Sequence, residues 1–241
     1  MDRAATLALF ARGKEAWNEW AASMIASHRA LVAADKWRFF AQTQYPCEVI
    51  PLNDETREWM SDSIGQFAEQ EFPTAPDFAG FVFPGAALFT SARFPQGARF
   101  AGAHFHHGAC FNGAIFGGPA DFTNAEFASE GTFMLAQFAG EARFSGARFM
   151  SGEVEPNMQG YCWFEDARFA APAMFDGARF AGNALFDEAQ FAAEVEFTGA
   201  QFGSFFSLAQ TRFGGPVRFA GASFPDRPDL SSTSLAQPPV W

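Results

Sequence analysis

The segment around His104 has the densest grouping of side chains that could bind a metal or move a proton. His104, His106 and His107 lie within the sequence HFHHG, and neighbouring histidines are common zinc ligands. Residues that alternate along an extended segment point to opposite faces, so His104 is expected to point outward while the other two lie at a corner. The three imidazoles therefore do not converge, and no fourth ligand accompanies them. We expect neither a metal site nor a bound cofactor.

Two pairs of adjacent acidic residues, Glu165-Asp166 and Asp187-Glu188, are the next candidates. Paired carboxylates act as general acid and base where a pocket desolvates one of them, and these pairs are expected at solvated corners. The sequence contains no glycine-rich phosphate loop after a strand, and no recognisable set of Ser, His and Asp or of Cys and His for nucleophilic catalysis. We therefore expect a protein that is not an enzyme.

Composition and charge further restrict the cellular compartment and the kinds of partner that are expected. The 241 residues include three cysteines, an odd number without the spacing of a disulfide framework, so a reduced compartment is favoured. The apolar run at the start is short and interrupted by charges, which fits neither a signal peptide nor a membrane span. A cytoplasmic protein without membrane contact is expected. The net charge of −11 argues against direct binding to nucleic acid, because phosphate binding needs clustered Lys and Arg.

A repeat of phenylalanine runs through most of the chain and must position these side chains. From Phe78 to Phe149, successive phenylalanines are separated alternately by five and six residues, and the same alternation resumes from Phe164 to Phe224. Of the 26 central positions in this series, 25 are Phe and one is Leu208. Two steps make an eleven-residue unit, seen in ARFAGAHFHHG from Ala98 to Gly108.

Most central residues are preceded two positions earlier by a small residue, which is Ala at 18 of the 26 positions. Residues two apart share a face of an extended strand, so the small residue and the Phe are expected to point inward and the residue between them outward. Gly or another small or polar residue then follows, at a position suited to a tight turn. Sides of five, six, five and six residues predict a four-sided coil of 22 residues, and they disfavour a triangular coil with constant six-residue sides.

These Ala-x-Phe runs, seen in ARFSGARFMSG from Ala142 to Gly152, resemble the pentapeptide-repeat family, in which a central Leu or Phe points inward and a small residue precedes it by two. The resemblance implies an all-β solenoid, specifically a right-handed quadrilateral β-helix. Two features depart from the plain family, because alternate sides gain a sixth residue and Phe is used almost exclusively. The coil is therefore expected to be slightly wider than usual.

The chain is expected to divide into three parts. Residues 1–75 form a helical N-terminal cap, with helix over 4–42 broken at Gly13 and a second helix that begins at Asn53 or Asp54 and ends near Phe72-Pro73. Residues 76–227 form the β-helix, and residues 228–241 form a tail that no longer follows the repeat. An apolar solenoid needs its ends covered. We expect the helices to cover one end, and the tail to cover the other end or to anchor a homodimer.

A step of 22 residues stacks the outward residues into columns. One column alternates in charge and contains Asp77, Arg99, Asp121 and Arg143. The column on the opposite side is unusually apolar for a solvent face and contains Leu88, Cys110, Thr132 and, if the interruption of the repeat keeps the phase, Trp163, Leu185 and Ser207. We predict that the N-terminal helices or a second subunit, as in a homodimer, cover this apolar column. The alternative is that its apolar residues are scattered over an exposed face.

The interruption between the two halves of the repeat adds nine residues, from Glu153 to Tyr161. Proline, asparagine and glycine in this stretch favour a protruding loop over distorted sides, and a loop on a rigid rod is a natural place for binding residues. A tolerated insertion without function is the other interpretation. The candidate partner surface therefore comprises the apolar column together with Pro156, Asn157, Met158 and Tyr161.

The function that these features favour is that of a non-catalytic scaffold, which presents a rigid rod surface to a protein partner. The resemblance also implies an alternative, because some members of the family mimic duplex DNA and bind DNA gyrase, which confers quinolone protection. The net negative charge is consistent with that alternative. A continuous acidic surface is nevertheless interrupted by arginine at many outward positions, namely Arg99, Arg143, Arg148, Arg168, Arg179, Arg212 and Arg218.

Overall fold

In the described residues, the fold consists of four parallel β-sheets wound as a solenoid, with three α-helices at the N-terminal end. The architecture comes from a computed structural model, in which residues 1–41, 49–150 and 161–241 are described. Each coil contributes one short strand to each sheet, and we number the sides I to IV in chain order. The predicted four-sided all-β solenoid is confirmed, while its right-handedness stays a prediction from the family resemblance.

The strands of each side stack in parallel. Side I contains Gly65–Gln66, Ala87–Leu88, Ala109–Cys110, Gly131–Thr132, Tyr161–Trp163, Asn183–Leu185 and Phe206–Ser207. Side II contains Arg93–Phe94, Ile115–Phe116, Gln137–Phe138, Arg168–Phe169, Gln190–Phe191, Arg212–Phe213 and Ser234–Leu235. Side III contains Ala98–Arg99, Ala120–Asp121, Ala142–Arg143, Ala173–Met174, Val195–Glu196 and Val217–Arg218. Side IV contains Val82–Phe83, His104–Phe105, Glu126–Phe127, Arg148–Phe149, Arg179–Phe180 and Gln201–Phe202.

The register between coils follows the predicted step of 22 residues. Phe94 pairs with Phe116 on side II. Across the interruption, Thr132 pairs with Trp163 on side I, which is nine residues more than the regular step. The extra residues therefore leave the phase of the repeat unchanged.

Four ladders of phenylalanine rings fill the coil. Along a ladder, consecutive rings lie nearly parallel, as for Phe111 and Phe133, whose centroids are 4.9 Å apart at an interplanar angle of 1°. Between ladders the rings meet edge to face, as for Phe100 and Phe111 at 5.2 Å and 86°. The ring spacing along a ladder equals the spacing of hydrogen-bonded strands, and the edge-to-face contacts suit the charge distribution of aromatic rings. Phe at successive levels therefore packs both along a ladder and between ladders.

Among residues 1–41 and 49–64, three helices precede the first coil: α1 (Arg3–Ala11), α2 (Lys14–Ala33) and α3 (Asp54–Ser63). Gly13, with a φ of 90°, separates the first two as predicted. The predicted helix is wrong over residues 34–41, because α2 is terminated when Asp35 adopts a φ of 54° and Lys36 N donates to Leu31 O. Residue 42 lies outside the described residues. The strand Phe39–Ala41 follows and pairs antiparallel with Val49–Pro51.

The β-helix begins earlier than predicted. Asn53 caps α3 by accepting a hydrogen bond from Thr56 N, but the helix ends at Ser63 rather than near Phe72-Pro73. The strand Gly65–Gln66 already pairs with Ala87–Leu88 on side I. The predicted start at residue 76 is therefore about one half coil too late.

The C-terminal tail continues the coil, which corrects the prediction that the repeat is lost from residue 228. Ser234–Leu235 adds a strand to side II, and Val240 forms a bridge with Arg218 on side III. The ring of Trp241 lies 4.9 Å from that of Phe219. The tail thus extends two sides of the rod by one further level.

Candidate interaction surfaces

Side chains of α2 close an open strand edge at the N-terminal end of the rod. Asn18 Nδ2 donates to Gly80 O at 3.0 Å, and Asn18 Oδ1 accepts from Val82 N at 2.9 Å. Trp17 Nε1 donates to Val82 O at 2.8 Å. These bonds replace those of a missing strand, so this edge of side IV is not open to another chain.

All four histidines of the chain lie near the contact between the helices and the rod. His28 in α2 and His107 after side IV have ring centroids 5.2 Å apart. Trp59 in α3 also lies 5.2 Å from His107. His104 and His106 stack on each other at 4.1 Å. Of the three histidines predicted to be a poor metal site, His107 therefore belongs to an aromatic contact between the helices and the coil, and His104 and His106 stack beside it.

Burial lowers the pKa of each of these histidines. The pKa of His106 falls to about 4 and that of His107 to about 3, chiefly because the rings are desolvated and secondarily because other imidazoles lie near. Burial lowers the pKa of His28 as well. It also lowers that of His104, where the nearby Glu126 partly offsets the effect. All four rings are therefore neutral near pH 7 and pack as aromatic groups.

The predicted apolar column lies on side I in the expected order. Pairing places its members at successive levels, namely Leu88, Cys110, Thr132, Trp163, Leu185 and Ser207. In the middle of the column the side chains are buried within this single chain, with exposed fractions of 6% for Cys110, 0% for Thr132 and 8% for Trp163. Leu88 and Leu185 are half-buried. The middle of the column is therefore covered, and its two ends are the parts that a partner could reach.

Local contacts explain part of the burial of the apolar column. Thr90 Oγ1 lies 3.1 Å from Cys110 Sγ. The ring of Tyr161 stacks on Trp163 at 4.8 Å, and Tyr161 begins a side I strand. Its assignment to a protruding loop is therefore wrong, because the ring packs along the coil. The other predicted binding residues of the insertion lie outside the described residues: Pro156, Asn157 and Met158.

Opposite charges alternate on side III as predicted, and neighbouring charges form ion pairs. Arg99 lies 3.0 Å from Asp77, one level below it, and Arg143 lies 2.6 Å from Glu141. Within the described residues, three exposed arginines of side II have no carboxylate within 4.0 Å, namely Arg93, Arg168 and Arg212. The strands of the described rod therefore carry mixed charges rather than one unbroken acidic stripe.

The acidic pairs stack at the corner that follows side I. Burial raises the pKa of Glu165, and the charges of Asp187, Asp166 and Glu188 raise it further. Asp187 Oδ1 accepts hydrogen bonds from Ser207 Oγ and from the backbone N of the next corner. These carboxylates thus contribute to the geometry of the corner.

Large apolar side chains are exposed at the C-terminal end of the rod. The exposed fractions are 61% for Phe205, 49% for Trp241 and 46% for Val240. The guanidinium carbon of Arg227 lies 5.6 Å from the centroid of the Trp241 ring. We call Phe205, Val240 and Trp241 the C-terminal apolar residues. Exposed large apolar side chains also occur away from this end, at Val32, Ile50, Leu52 and Leu135.

Phe205 was not predicted as a binding residue, although the sequence contains a signal for it. The residues at the equivalent position of the other side I strands include Ala86, Gly108, Glu130, Tyr161 and Asn183, whereas here the residue is Phe. The resulting Phe205-Phe206 pair breaks the regular spacing of phenylalanine. The next central position is Leu208, the one exception in the series.

Within the described residues, no group of His, Cys, Asp and Glu is placed to hold a metal ion. A helix long and apolar enough to cross a membrane is likewise not found in that part of the chain.

Among family models, one described as pentapeptide repeats (9 copies) matches residues 111–152 and 175–223. Both matched ranges lie in the β-helix, on either side of the interruption. Among curated proteins, none matches this sequence.

Proposed function

We propose that this chain, a pentapeptide-repeat protein, is a non-catalytic scaffold that holds a protein partner at the C-terminal end of its rigid β-helix. The observation that carries the proposal is the exposure of the C-terminal apolar residues, Phe205, Val240 and Trp241. Exposed apolar side chains that lie at one place on a soluble protein are typical of contact surfaces.

The ring ladders make this end a preorganised surface. Phe197 and Phe219 stack at 5.3 Å directly beneath Trp241, so the terminal ring lies on a packed column. A surface that is already ordered loses little side-chain freedom when a partner binds. Aromatic residues and arginine also contribute most to binding energy at protein interfaces, and Arg227 lies beside Trp241.

A pull-down from the native cell tests the proposal. The bait proteins are the intact chain, a Phe205→Ala variant and an Arg179→Ala variant. Phe205 is mostly exposed, so its replacement is expected to leave the fold intact while reducing the recovered partner at least about tenfold, the equivalent of 1.4 kcal/mol. Arg179 is an exposed residue of side IV and serves as the matched control. Equal recovery with all three baits would contradict the proposal.

The predicted binding role of the insertion needs a separate variant. Deletion of residues 152–160 removes nine residues and restores the regular step between Thr132 and Trp163, which already pair in register. It also retains Tyr161, which stacks on Trp163. Loss of the partner with this variant alone would place the contact at the insertion, where Pro156, Asn157 and Met158 are the predicted residues, and not at the C-terminal end.

A gyrase supercoiling assay separates the scaffold from the DNA-mimic alternative. The net charge of −11 favours that alternative. The described strands, however, carry arginine on sides II, III and IV. Positive charges interrupt the potential that a phosphate mimic requires. We expect no protection of gyrase by the intact protein, and protection would favour DNA mimicry.

A further inference from the structure

Side I ends where its inward-facing residues depart from the repeat. In the preceding coil, the inward residues of side I are Ala184 and Phe186, and in the last coil they are Phe206 and Leu208. Phe206 thus takes the place of the small residue Ala184, and Leu208 takes the place of Phe186. The ring of Phe206 lies 4.0 Å from that of Phe202. Leu208 is 2% exposed at the ladder position, so the phenylalanine ladder of this side stops one level early.

Within the part of the chain that the structure describes, two backbone N–H groups at this end of side I have no acceptor. One coil below, Phe186 N donates to Ser207 O at 3.0 Å, and equivalent bonds recur along side I. The corresponding donors of the last strand, Phe206 N and Leu208 N, make no hydrogen bond within the described residues. The strand Phe206–Ser207 therefore has an open edge that faces the C-terminal end.

The tail closes two neighbouring sides and leaves this one open. Ser234 N donates to Thr211 O at 2.9 Å on side II, and Val240 N donates to Val217 O at 3.0 Å on side III. Leu230 lies 22 residues after Leu208, but no strand pairing joins its segment to the last strand of side I.

At the N-terminal end the corresponding edge is closed by a side chain. Gln66 N, in the first strand of side I, donates to Thr6 Oγ1 of α1 at 3.2 Å. The open edge of this side is therefore a feature of the C-terminal end. Chains commonly close or cover strand edges because an open edge can pair with another chain.

A cavity of about 680 Å³ occupies the place of the missing strand. It lies between Phe206–Ser207 and residues 225–232, and its volume falls in the usual range for binding sites. Phe205 contributes an exposed ring to the lining, and Arg227 and Asp229 contribute charges of both signs. The cavity thus combines an apolar surface, a strand edge and polar groups.

We propose that this cavity binds an extended peptide segment of a partner protein, which adds to side I as a parallel strand. Carbonyl oxygens of the peptide accept hydrogen bonds from Phe206 N and Leu208 N, as in other proteins that bind peptides at a sheet edge. This inference rests on the proposed function and specifies its binding mode. The segment contains an apolar residue that contacts Phe205. It has no proline where a backbone N–H is needed, because proline does not donate to a ladder.

A peptide that copies side I of this chain provides a defined probe. The acetylated and amidated sequence GNALFDEA, residues 182–189, contains the segment that already pairs in parallel with Phe206–Ser207. Hydrogen exchange followed by NMR is expected to slow by about tenfold or more at Phe206 N and Leu208 N when the peptide is in excess. The control peptide carries Leu185→Pro, which removes a backbone donor, and is expected to give no protection.

A double variant of the protein, Phe206→Ala with Leu208→Phe, restores the regular repeat. Its ladder is expected to continue over Phe186 and bring the tail segment into register, so the thermal midpoint is retained or raised and the peptide no longer binds. Three outcomes would overturn the inference: wild-type amides that are protected without peptide, no protection by the peptide, or equal binding by the double variant. Concentration-dependent dimerisation that protects the two amides would assign the edge to a second copy instead. Because the pull-down depends on Phe205→Ala, the proposed function can stand when the strand-addition mode fails.

Discussion

Replacement of Phe144 by alanine tests whether the ring ladders hold the rod together. Phe144 is fully buried and stacks at 4.9 Å on both Phe122 and Phe175. It also meets Phe133 and Phe164 edge to face at 5.3 Å. A buried Phe→Ala change costs about 3–5 kcal/mol, and an aromatic pair contributes about 0.5–1.5 kcal/mol beyond area burial. With four such pairs, we expect a loss of about 4–5 kcal/mol.

Arg143→Ala is the matched control, because it changes the adjacent outward residue on the same strand. The Arg143 side chain is 50% exposed and pairs with Glu141, and exposed pairs of this kind contribute about 0–1 kcal/mol. Urea denaturation followed by circular dichroism gives the free energy of unfolding of both variants. Similar losses in the two variants would refute the assignment of Phe to the interior and Arg to the surface.

Two further predictions concern acid and thiol chemistry. The pKa values of His106 and His107 in the folded protein, about 4 and about 3, lie below the ordinary 6.5, so the unfolded chain binds more protons in this range. Their contribution to stability is complete above about pH 6.5 and is lost as the pH falls toward the folded values. Thermal unfolding followed by tryptophan fluorescence should show a falling midpoint below about pH 6.5, with a shallower fall in a His106→Gln, His107→Gln variant; identical slopes would contradict this cause. In a Cys47→Ser background, Cys110 and Cys162, with exposed fractions of 6% and 1%, should react with a thiol reagent only after denaturant is added. Rapid labelling of Cys110 in the native protein would show that the apolar column is uncovered.

The coil was predictable because its signal is repeated many times. A small residue and a Phe at spacing two define the inward face of each side, and alternating sides of five and six residues define a step of 22. The pairing of Thr132 with Trp163 shows that the nine extra residues preserve this step. Repetition thus compensates for the weak signal of any single two-residue strand.

The ends of the rod were predicted less well because each end occurs once. Phe67 and Phe72 continue the alternation backward from Phe78, but apolar residues at these positions also fit a continued α3. Ser234–Leu235 lies 22 residues after Arg212–Phe213 and pairs with it. Leucine in place of Phe, together with several prolines in the tail, conceals the repeat there.

The interaction surfaces depend on contacts that the repeat does not encode. The order of the apolar column followed from the register, yet the cover over Cys110, Thr132 and Trp163 depends on the tertiary fold. The contact of His28 with His107 joins residues far apart in the sequence. Phe205 has a local signal, the Phe pair before Leu208, but its exposure depends on the course of the tail.

Site-specific photo-crosslinking in the native cell tests the central claim most directly. A photoreactive amino acid replaces Phe205 at the C-terminal end in one version of the protein, and Arg179 on side IV in the other. The proposed function predicts a specific protein adduct from position 205 and none from position 179. An adduct only from position 179, or equal adducts from both, would contradict a partner contact at the C-terminal end of the β-helix.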